Sequence, residues 1–340
     1  MHMKRSVNAS VRPQEEIPVA LIGCGMVGHK RAGAMPAQLT MVAAYDSDPV
    51  RNAEIARELG LVDCGSARTA LSRATGGLAI IASPHSSLVE LSLLALQCGC
   101  DVLVEKPAAC TLADARSLQA AASATGRLVR VGYNHRFHPA VRKARSLIES
   151  GAVRDPFLAV GRYGHGGRPG YADEWRADAA IAGGGELIDQ APHLIDLARW
   201  LVGEMELEYA ALPTLYWPMA VEDNAFLQLR LRSGGSVSLH ASWTEWTNRF
   251  EFEVTGRLSK VVMRGLGGSY GTEELTYYQL PAEGRPPDST TWRWPGSDDS
   301  WRLELEDVAV GLTGGRGVGA DIEDALAVLE IIERARAESR

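Results

Sequence analysis

The feature that most constrains the fold is a glycine pattern between an apolar run and a helical segment. Ile17–Ile22 predicts a buried strand, which leads into the sequence GCGMVG at Gly23–Gly28. In such a unit the first glycine permits a tight turn, the second lets backbone approach a pyrophosphate, and the third lets the helix pack on the strand. Glycines also punctuate ordinary turns, so the pattern gains weight only from the segments that follow it.

Those segments alternate between strand and helix. The predicted strands after the first are Leu39–Tyr45, Leu61–Cys64, Leu78–Ala82, Asp101–Val104 and Leu128–Gly132. The predicted helices between them are Pro49–Leu59, Ala67–Arg73, Ser87–Cys98 and Leu112–Thr125. This alternation predicts a doubly wound parallel sheet, an α/β Rossmann domain that binds its ligand at the carboxyl ends of the strands.

Asp46 stands at the carboxyl end of the second predicted strand, eighteen residues after Gly28. A carboxylate at this spacing is typical of a contact with the ribose hydroxyls of a dinucleotide. Ser47 and Asp48 follow it, so no adjacent cation is present to bind a 2′-phosphate, and NAD is favoured over NADP. Arg51 is a further candidate for contact with the cofactor. The alternative role for Asp46 is a plain helix cap.

Two more loops lie at strand ends, Ser83–His85 and Glu105–Pro107. We expect both to approach the cofactor, because ligands of such sheets bind at that edge. A lysine beside a carboxylate, as in Glu105 and Lys106, more often forms a surface ion pair.

A second segment with possible chemistry begins with three glycines at Gly183–Gly185 and continues with a helical rhythm to Leu201. Asp189 and His193 are four residues apart, so on a continuous helix they share one face. Pro192 removes a backbone donor and kinks the helix unless regular turns begin close to it. A carboxylate that orients an imidazole suits proton transfer. A core helix with an inert, hydrogen-bonded histidine explains the same residues.

The rest of the second half changes period. After a strand at Phe157–Tyr163 and a glycine-rich loop, the residues from Glu206 to Leu280 alternate with a period of two, which predicts a large, open, mainly antiparallel sheet. Pro281–Asp299 is expected to be a loop, followed by helices at Ser300–Leu312 and Ala320–Ala337. The second half is therefore an α+β domain.

Four motifs in this order resemble the Gfo/Idh/MocA oxidoreductases, the glucose-fructose oxidoreductase and inositol dehydrogenase family. They are the glycine turn at Gly23–Gly28, Glu105-Lys106-Pro107, the segment Gly132–Phe137, and Gly183-Gly184-Gly185 with Asp189, His193 and Asp196. The resemblance spans nearly the whole chain and implies catalysis by Lys106, Asp189 and His193.

The resemblance also completes the candidate binding sites. The expected cofactor contacts are Gly23, Gly25, Met26, Val27, Gly28, Asp46, Arg51, Ser83, Pro84, His85, Glu105, Lys106 and Asn134. The expected substrate contacts are Lys106, His135, His165, Arg168, Trp175, Arg176, Asp189 and His193. For Trp175 and the two arginines, a packed indole and surface cations are the competing roles. The family commonly uses one face of the antiparallel sheet for subunit contact, so we expect a homodimer or homotetramer.

Composition excludes several other classes. The net charge of −7 and the scattered lysines and arginines give no basis for nucleic acid binding, and no apolar run is long enough for a membrane span. Five cysteines without metal-ligand spacing indicate reduced thiols in a cytoplasmic protein. Asp189, His193 and Asp196 lack the second histidine or cysteine cluster that a metal site needs, so no metal is expected.

We therefore expect a disordered tail at residues 1–16, a NAD-binding Rossmann domain at 17–137, and a substrate-binding and oligomerisation domain at 138–340. The function hypothesis is a NAD-dependent oxidoreductase that acts on a secondary alcohol or ketone of a sugar, cyclic polyol or nucleotide sugar. Two other classes stay open. One is a NAD-dependent glycosidase that oxidises its sugar transiently, and the other is a sensor that binds NAD and sugar without turnover.

Overall fold

The computed structural model describes residues 16–281 and 284–339. The tail predicted at residues 1–16 therefore lies outside the described residues, except for Glu16. A five-stranded parallel sheet comes first, in the order β2-β1-β3-β4-β5. Its strands are β1 Ile17–Ile22, β2 Leu39–Tyr45, β3 Leu78–Ile81, β4 Asp101–Glu105 and β5 Val129–Gly132. Its helices are α1 Met26–Gly33, α2 Pro49–Leu59, α3 Ala67–Arg73, α4 Leu88–Gln97 and α5 Leu112–Thr125.

The strand expected at Leu61–Cys64 is wrong. Gly60 ends α2 in the left-handed conformation, with φ of 66°. The N–H of Leu61 then donates to the carbonyl of Ala56 at 2.8 Å, which closes the helix end instead of extending a sheet.

The second sheet has eight strands in the order β13-β12-β11-β10-β6-β9-β8-β7. They are β6 Leu158–Gly164, β7 Met205–Ala211, β8 Asn224–Leu231, β9 Ser236–Ser242, β10 Arg249–Thr255, β11 Ser259–Arg264, β12 Glu273–Gln279 and β13 Asp288–Trp294. Every neighbouring pair is antiparallel except β6 and β9. The expected architecture, a Rossmann-like domain plus a domain with a large, mainly antiparallel sheet, is confirmed.

Strand β13 corrects the loop expected at Pro281–Asp299. The β-branched residues of this segment pair with β12, and Thr291 lies opposite Thr276, with the two hydroxyl oxygens 2.9 Å apart. Proline and glycine at the borders of the segment concealed a short edge strand within it.

Helices complete the second half of the chain. They are α6 Pro139–Glu149, α7 Ala179–Ala182, α8 Glu186–Asp189, α9 Ala191–Val202, α10 Ser300–Leu312 and α11 Ile322–Glu338. Helix α9 is buried along nearly its whole length and packs on β6 and β9. Helix α10 returns to the first sheet, where Leu305 and Val308 pack with Val19, Leu21 and Leu39. The chain therefore closes back over the sheet with which it began.

Candidate active site

A cleft of about 820 Å³ lies between the carboxyl edge of the parallel sheet and the second sheet. Both halves of the chain line it. Met26 and Lys106 come from the first, and Tyr163, Asp189 and His193 from the second. A concave site of this size, walled by two domains and holding several ionisable side chains, is where a ligand is expected to bind.

Lys106 and Asp189 form the polar centre of this cleft. The Lys106 Nζ donates to Asp189 Oδ1 at 2.8 Å and to the main-chain carbonyl of the same residue at 2.5 Å. The lysine side chain is 16% exposed and the carboxylate 8%. Since the pair is largely removed from water, its attraction is stronger than that of a surface ion pair.

A break in the helix makes the second of these hydrogen bonds available. In a continuous helix, the N–H of His193 would donate to the carbonyl of Asp189. Here α8 ends at Asp189 and α9 begins at Ala191 with Pro192 in its first turn, so the N–H of His193 donates to Gln190 at 3.1 Å instead. The proline permits a new helix start, and the Asp189 carbonyl is left to accept from Lys106.

A second cation acts on the same carboxylate. Arg176 Nε lies 3.3 Å from Asp189 Oδ2, so each carboxylate oxygen faces a different positive group. Burial favours the neutral acid, but Lys106 and Arg176 outweigh it and hold the pKa of Asp189 well below its usual range. The carboxylate is therefore ionised throughout the range in which proteins work.

His193 lies beside this pair and is 6% exposed. Burial, and then the charge of Lys106, lower the pKa of His193 well below its usual value, although Asp189 opposes the shift. The ring of His135 stacks on it with centroids 3.8 Å apart, and burial likewise lowers the pKa of His135. His193 is thus a neutral imidazole able to accept a proton, and its Nδ1 has no hydrogen-bond partner among the described residues.

Three further residues, Glu186, Tyr163 and Tyr270, lie near this centre and were not among the expected site residues. Glu186 is fully buried, and burial followed by the charge of Asp189 raises its pKa well above the usual value. Tyr163 contacts the rings of both His193 and His135, and its ring lies against that of Tyr270 with centroids 5.4 Å apart. Sequence reasoning missed Tyr163 and Tyr270 because they lie on a strand and a loop whose pattern indicated only packing.

The glycine turn fits the pyrophosphate of a dinucleotide. A Cβ on Gly28 would lie 2.1 Å from the carbonyl oxygen of Gly23, whereas one on Gly25, the N-cap of α1, would meet nothing within 4 Å. The first spacing shows close helix–strand packing, and the second leaves backbone open at a helix N-terminus. A Cβ on Gly23 would lie 2.7 Å from the N–H of Ser83, so the expected Ser83–His85 loop borders the turn.

Hydrogen bonds from the backbone hold the carboxylate of Asp46 in a fixed position at the end of β2. Its Oδ2 accepts from the N–H of Cys24 at 2.7 Å, and its Oδ1 accepts from the N–H of Asp48 at 2.8 Å. Arg51 Nε lies 3.4 Å from the same Oδ1. The N-cap of α2 is Asp48. The alternative role considered for Asp46, a plain helix cap, is therefore filled by Asp48. A carboxylate has further lone pairs for hydroxyl donors, and the set fits NAD.

Comparison with known proteins supplies the family. The description "Oxidoreductase family, NAD-binding Rossmann fold" matches residues 17–133, and the Gfo/Idh/MocA C-terminal domain matches residues 141–262. The chain belongs to the Gfo/Idh/MocA family. It is therefore an oxidoreductase, and its cofactor is NAD.

Relatives agree with the fold along the whole chain. Levoglucosan dehydrogenase of Pseudarthrobacter phenanthrenivorans is 28% identical over 288 residues, which is 73% of each chain. D-apiose dehydrogenase of Paraburkholderia graminis is 28% identical over 257 residues, covering 73% of this chain and 66% of that protein. A structure of levoglucosan dehydrogenase with NADH and levoglucosan superposes with a TM-score of 0.84 at 25% identity, over 96% of this chain and 97% of the other.

Eleven of the twenty expected site residues line the cleft. The expected residues that line it are Met26, Val27, Glu105, Lys106, Asn134, His135, His165, Arg168, Arg176, Asp189 and His193. Two of them are also tied to other partners. Glu105 pairs with the buried Arg31, with Oε1 2.6 Å from Nη2, and Asn134 donates to Ser300 Oγ at 2.8 Å. Both therefore fix helices around the cleft.

Trp175 and His85 lie behind the cleft. Their rings pack edge to face with centroids 5.1 Å apart, and His85 Nδ1 lies 2.8 Å from the carbonyl oxygen of Ala182. The guanidinium of Arg176 lies 4.5 Å from the Trp175 ring centroid, so the indole supports the arginine that faces Asp189. The more exposed Arg168 pairs with Glu174, with Nη2 2.7 Å from Oε1, at the rim.

Within residues 16–281 and 284–339, no cluster of three or more histidine, cysteine or acidic side chains has the arrangement of a metal site. The same part of the chain has no helix both long and apolar enough to cross a bilayer.

Proposed function

We propose that the protein is a dehydrogenase that oxidises a secondary alcohol of a sugar, cyclic polyol or nucleotide sugar, or reduces the corresponding ketone, with NAD as hydride partner. The observation that carries the proposal is the buried Lys106–Asp189 pair beside the neutral ring of His193. A base without charge and a fixed cation at one point suit removal of a hydroxyl proton with stabilisation of the oxygen left behind.

Each residue has a definite task in this proposal. His193 accepts the proton of the substrate hydroxyl. Lys106 donates a hydrogen bond to the same oxygen and stabilises its developing negative charge. Asp189 keeps the lysine in place through two acceptors, its carbonyl and its Oδ1. Bound NAD supplies the hydride acceptor.

The names of relatives support a sugar or polyol as substrate. Levoglucosan dehydrogenase, D-apiose dehydrogenase and scyllo-inositol 2-dehydrogenase all act on compounds of this class by name. The cleft of this chain contains cations, carboxylates, hydroxyls and imidazoles beside apolar side chains such as Met26 and Leu266, and these polar groups can bind the hydroxyls of a polyhydroxylated ligand.

The test is a screen of polyols, free sugars and nucleotide sugars for net reduction of NAD, followed by nicotinamide absorbance. We expect at least one compound to give turnover that Lys106→Met removes. A sugar that is cleaved while nicotinamide absorbance stays constant would indicate the glycosidase mechanism. Tight sugar binding to the NAD complex without any redox change would indicate a sensor.

We propose that the division into residues 17–137 and 138–340 corresponds to a NAD-binding part and a substrate-binding part. We also propose a cytoplasmic homodimer or homotetramer that associates through the open face of the eight-stranded sheet. Phe226 and Val160 on this sheet are 37% and 39% exposed, which supports a covered face. Light scattering that returns a monomer at micromolar concentration would contradict the oligomer.

A further inference from the structure

A second cleft, of about 800 Å³, lies outside the candidate active site. Arginines from three segments line it: Arg130 on β5, Arg136, Arg142 and Arg145 in and after the turn at 134–137, and Arg316 in a glycine-rich loop. The chain as a whole carries a net charge of −7, so this concentration of guanidinium groups runs against its overall balance.

Two of these arginines are neutralised within the protein. Arg136 forms a bidentate pair with Asp196, at 2.8 and 2.5 Å, and also contacts Asp324. Arg145 pairs with Glu149, with Nε 2.7 Å from Oε1. Arg136 and Arg145 therefore form part of the cleft wall but contribute no unpaired positive charge.

The other three lack such neutralisation. Arg130 donates through Nη1 to the carbonyl of Gly319 at 2.8 Å, and its buried Nε has no hydrogen-bond partner among the described residues. Within the same described ranges, Arg142 and Arg316 have no carboxylate at ion-pair distance. The one further acid on the cleft wall, Asp321, accepts from the N–H groups of Glu323 and Asp324 and caps α11.

The loop that carries Arg316 is held in a fixed shape. Asp307 accepts from the N–H of Val318 at 2.7 Å and from that of Gly319 at 2.9 Å. A Cβ on Gly317 would lie 2.4 Å from Asp307 Oδ2, so a side chain there would displace the carboxylate that anchors the loop. An anchored loop presents its arginine at a smaller entropic cost than a free one would.

We propose that this cleft binds a phosphate-bearing small molecule through Arg130, Arg142 and Arg316. The planar guanidinium group can donate two hydrogen bonds to two oxygens of one phosphate, and cations that have no carboxylate partner of their own are stabilised by a shared anion. The volume exceeds that of a phosphate alone, so the cleft has room for the rest of the ligand beside Trp200, whose ring contacts the guanidinium groups of Arg136 and Arg145.

The site is separate from the NAD pyrophosphate position but joined to the active site by one short turn. Asn134 and His135 line the first cleft, and Arg136 lines the second. Helix α9 likewise carries His193 near its start and Trp200 near its end. A ligand in the second cleft would therefore contact elements that also position the imidazole stack.

The test is calorimetric titration of the NAD-saturated protein with inorganic phosphate, glucose 6-phosphate and ADP at constant ionic strength. Saturating NAD occupies the glycine turn, so the signal comes from elsewhere. We expect saturable binding of at least one of these, weakened at least about tenfold by Arg142→Gln with Arg316→Gln, since each removes a charged hydrogen-bond donor. The three ligands distinguish free phosphate from a sugar phosphate and a nucleotide.

The matched control is Arg154→Gln with Arg257→Gln, which removes two charges from side chains that are 81% and 75% exposed beside Asp155. It should leave the binding unchanged. As a second readout, ligand should alter the fluorescence of the parent, and Trp200→Phe should abolish that change. The proposal is overturned if no phosphate compound binds saturably, if the cleft variant and the control bind alike, or if duplex DNA binds more tightly than every small phosphate at these arginines.

Discussion

The glycine turn and the Lys106–Asp189–His193 cluster are two sites built on different physical terms. The turn is local in sequence and depends on backbone sterics, since a Cβ on Gly28 would lie only 2.1 Å from the carbonyl oxygen of Gly23. The cluster joins residues 83 positions apart and depends on burial and charge. The glycine turn therefore tolerates no change of shape, whereas the cluster tolerates no change of charge or proton affinity.

The largest effect is expected from the cluster. Lys106→Met and His193→Ala should each lower turnover by about 10²–10⁴-fold, the usual contribution of a positioned acid–base group. NAD affinity should change much less, because we expect the glycine turn and Asp46 to make the main contacts with the cofactor. Single-turnover rates and NAD binding measured on the same samples check both statements.

A control separates chemistry from folding in this experiment. His29→Ala removes an exposed histidine of α1, 42% exposed beside Glu58, and should leave turnover unchanged. If His193→Ala lowers the thermal midpoint but retains full turnover per folded molecule, the histidine is a packing residue and the mechanism fails. The double variant should lose far less than the product of the two single losses, since the groups act as a unit.

The turn should respond to shape. Gly28→Ala places a methyl group against the Gly23 carbonyl, so the loop must move and NAD affinity should fall at least about tenfold, the effect of losing one or two backbone hydrogen bonds to the pyrophosphate. Gly65→Ala is the matched control, because a Cβ there meets nothing within 4 Å and the residue does not line the cleft. Equal NAD affinity in the two variants would contradict the assignment of the turn.

A several-fold effect is expected at Asp46. Its carboxylate repels a 2′-phosphate, so the parent should bind NAD at least several-fold more tightly than NADP. Asp46→Ser with Ser47→Arg should shift the preference toward NADP, and Arg51, already 3.4 Å from Asp46, should assist. Calorimetric titration of both cofactors measures the ratio, and a parent that prefers NADP would refute the assignment.

The smallest effect concerns pH. Burial, with the charge of Lys106, lowers the pKa of His85 to about 4, and burial also lowers the pKa values of His135 and His193. Below about pH 6.5 the unfolded chain therefore binds protons that the folded protein does not, and the free energy of unfolding falls as pH falls, by at most about 1.4 kcal/mol per pH unit for each histidine.

Buried acids with raised pKa values, Glu186 and Glu304, act in the opposite direction, so the histidine contribution is measured as a difference. Urea unfolding between pH 5 and pH 7 should show a shallower pH dependence for His85→Gln than for the parent. His29→Gln, at an exposed position, should show the parental dependence. Identical slopes in all three proteins would contradict the argument.

Sequence predicted the glycine turn more completely than the Lys106–Asp189–His193 cluster, because the turn is local in sequence and the cluster is not. The bounds of β1 and of helix Ala67–Arg73 followed from local pattern, and so did the position of Asp46 at the end of β2. The pairing of Lys106 with Asp189 followed only from resemblance, and Tyr163, Tyr270 and Glu186 had no signal at all. Their roles arise from packing between distant segments, which no local period encodes. Strand β13 was missed because tertiary pairing overrode a sequence dominated by turn residues.

The break between α8 and α9 has a consequence for how this site can change through evolution. One of the two acceptors that hold Lys106 is a main-chain carbonyl, which no codon change at position 189 can delete. A lineage that loses the carboxylate of Asp189 would still have Lys106 anchored by the main-chain carbonyl, and selection for a new specificity could start from that arrangement. The vulnerable positions are Gln190 and Pro192, since changes that restore a continuous helix would withdraw the carbonyl into the helix ladder. Heritable constraint therefore falls also on residues that act through the course of the main chain.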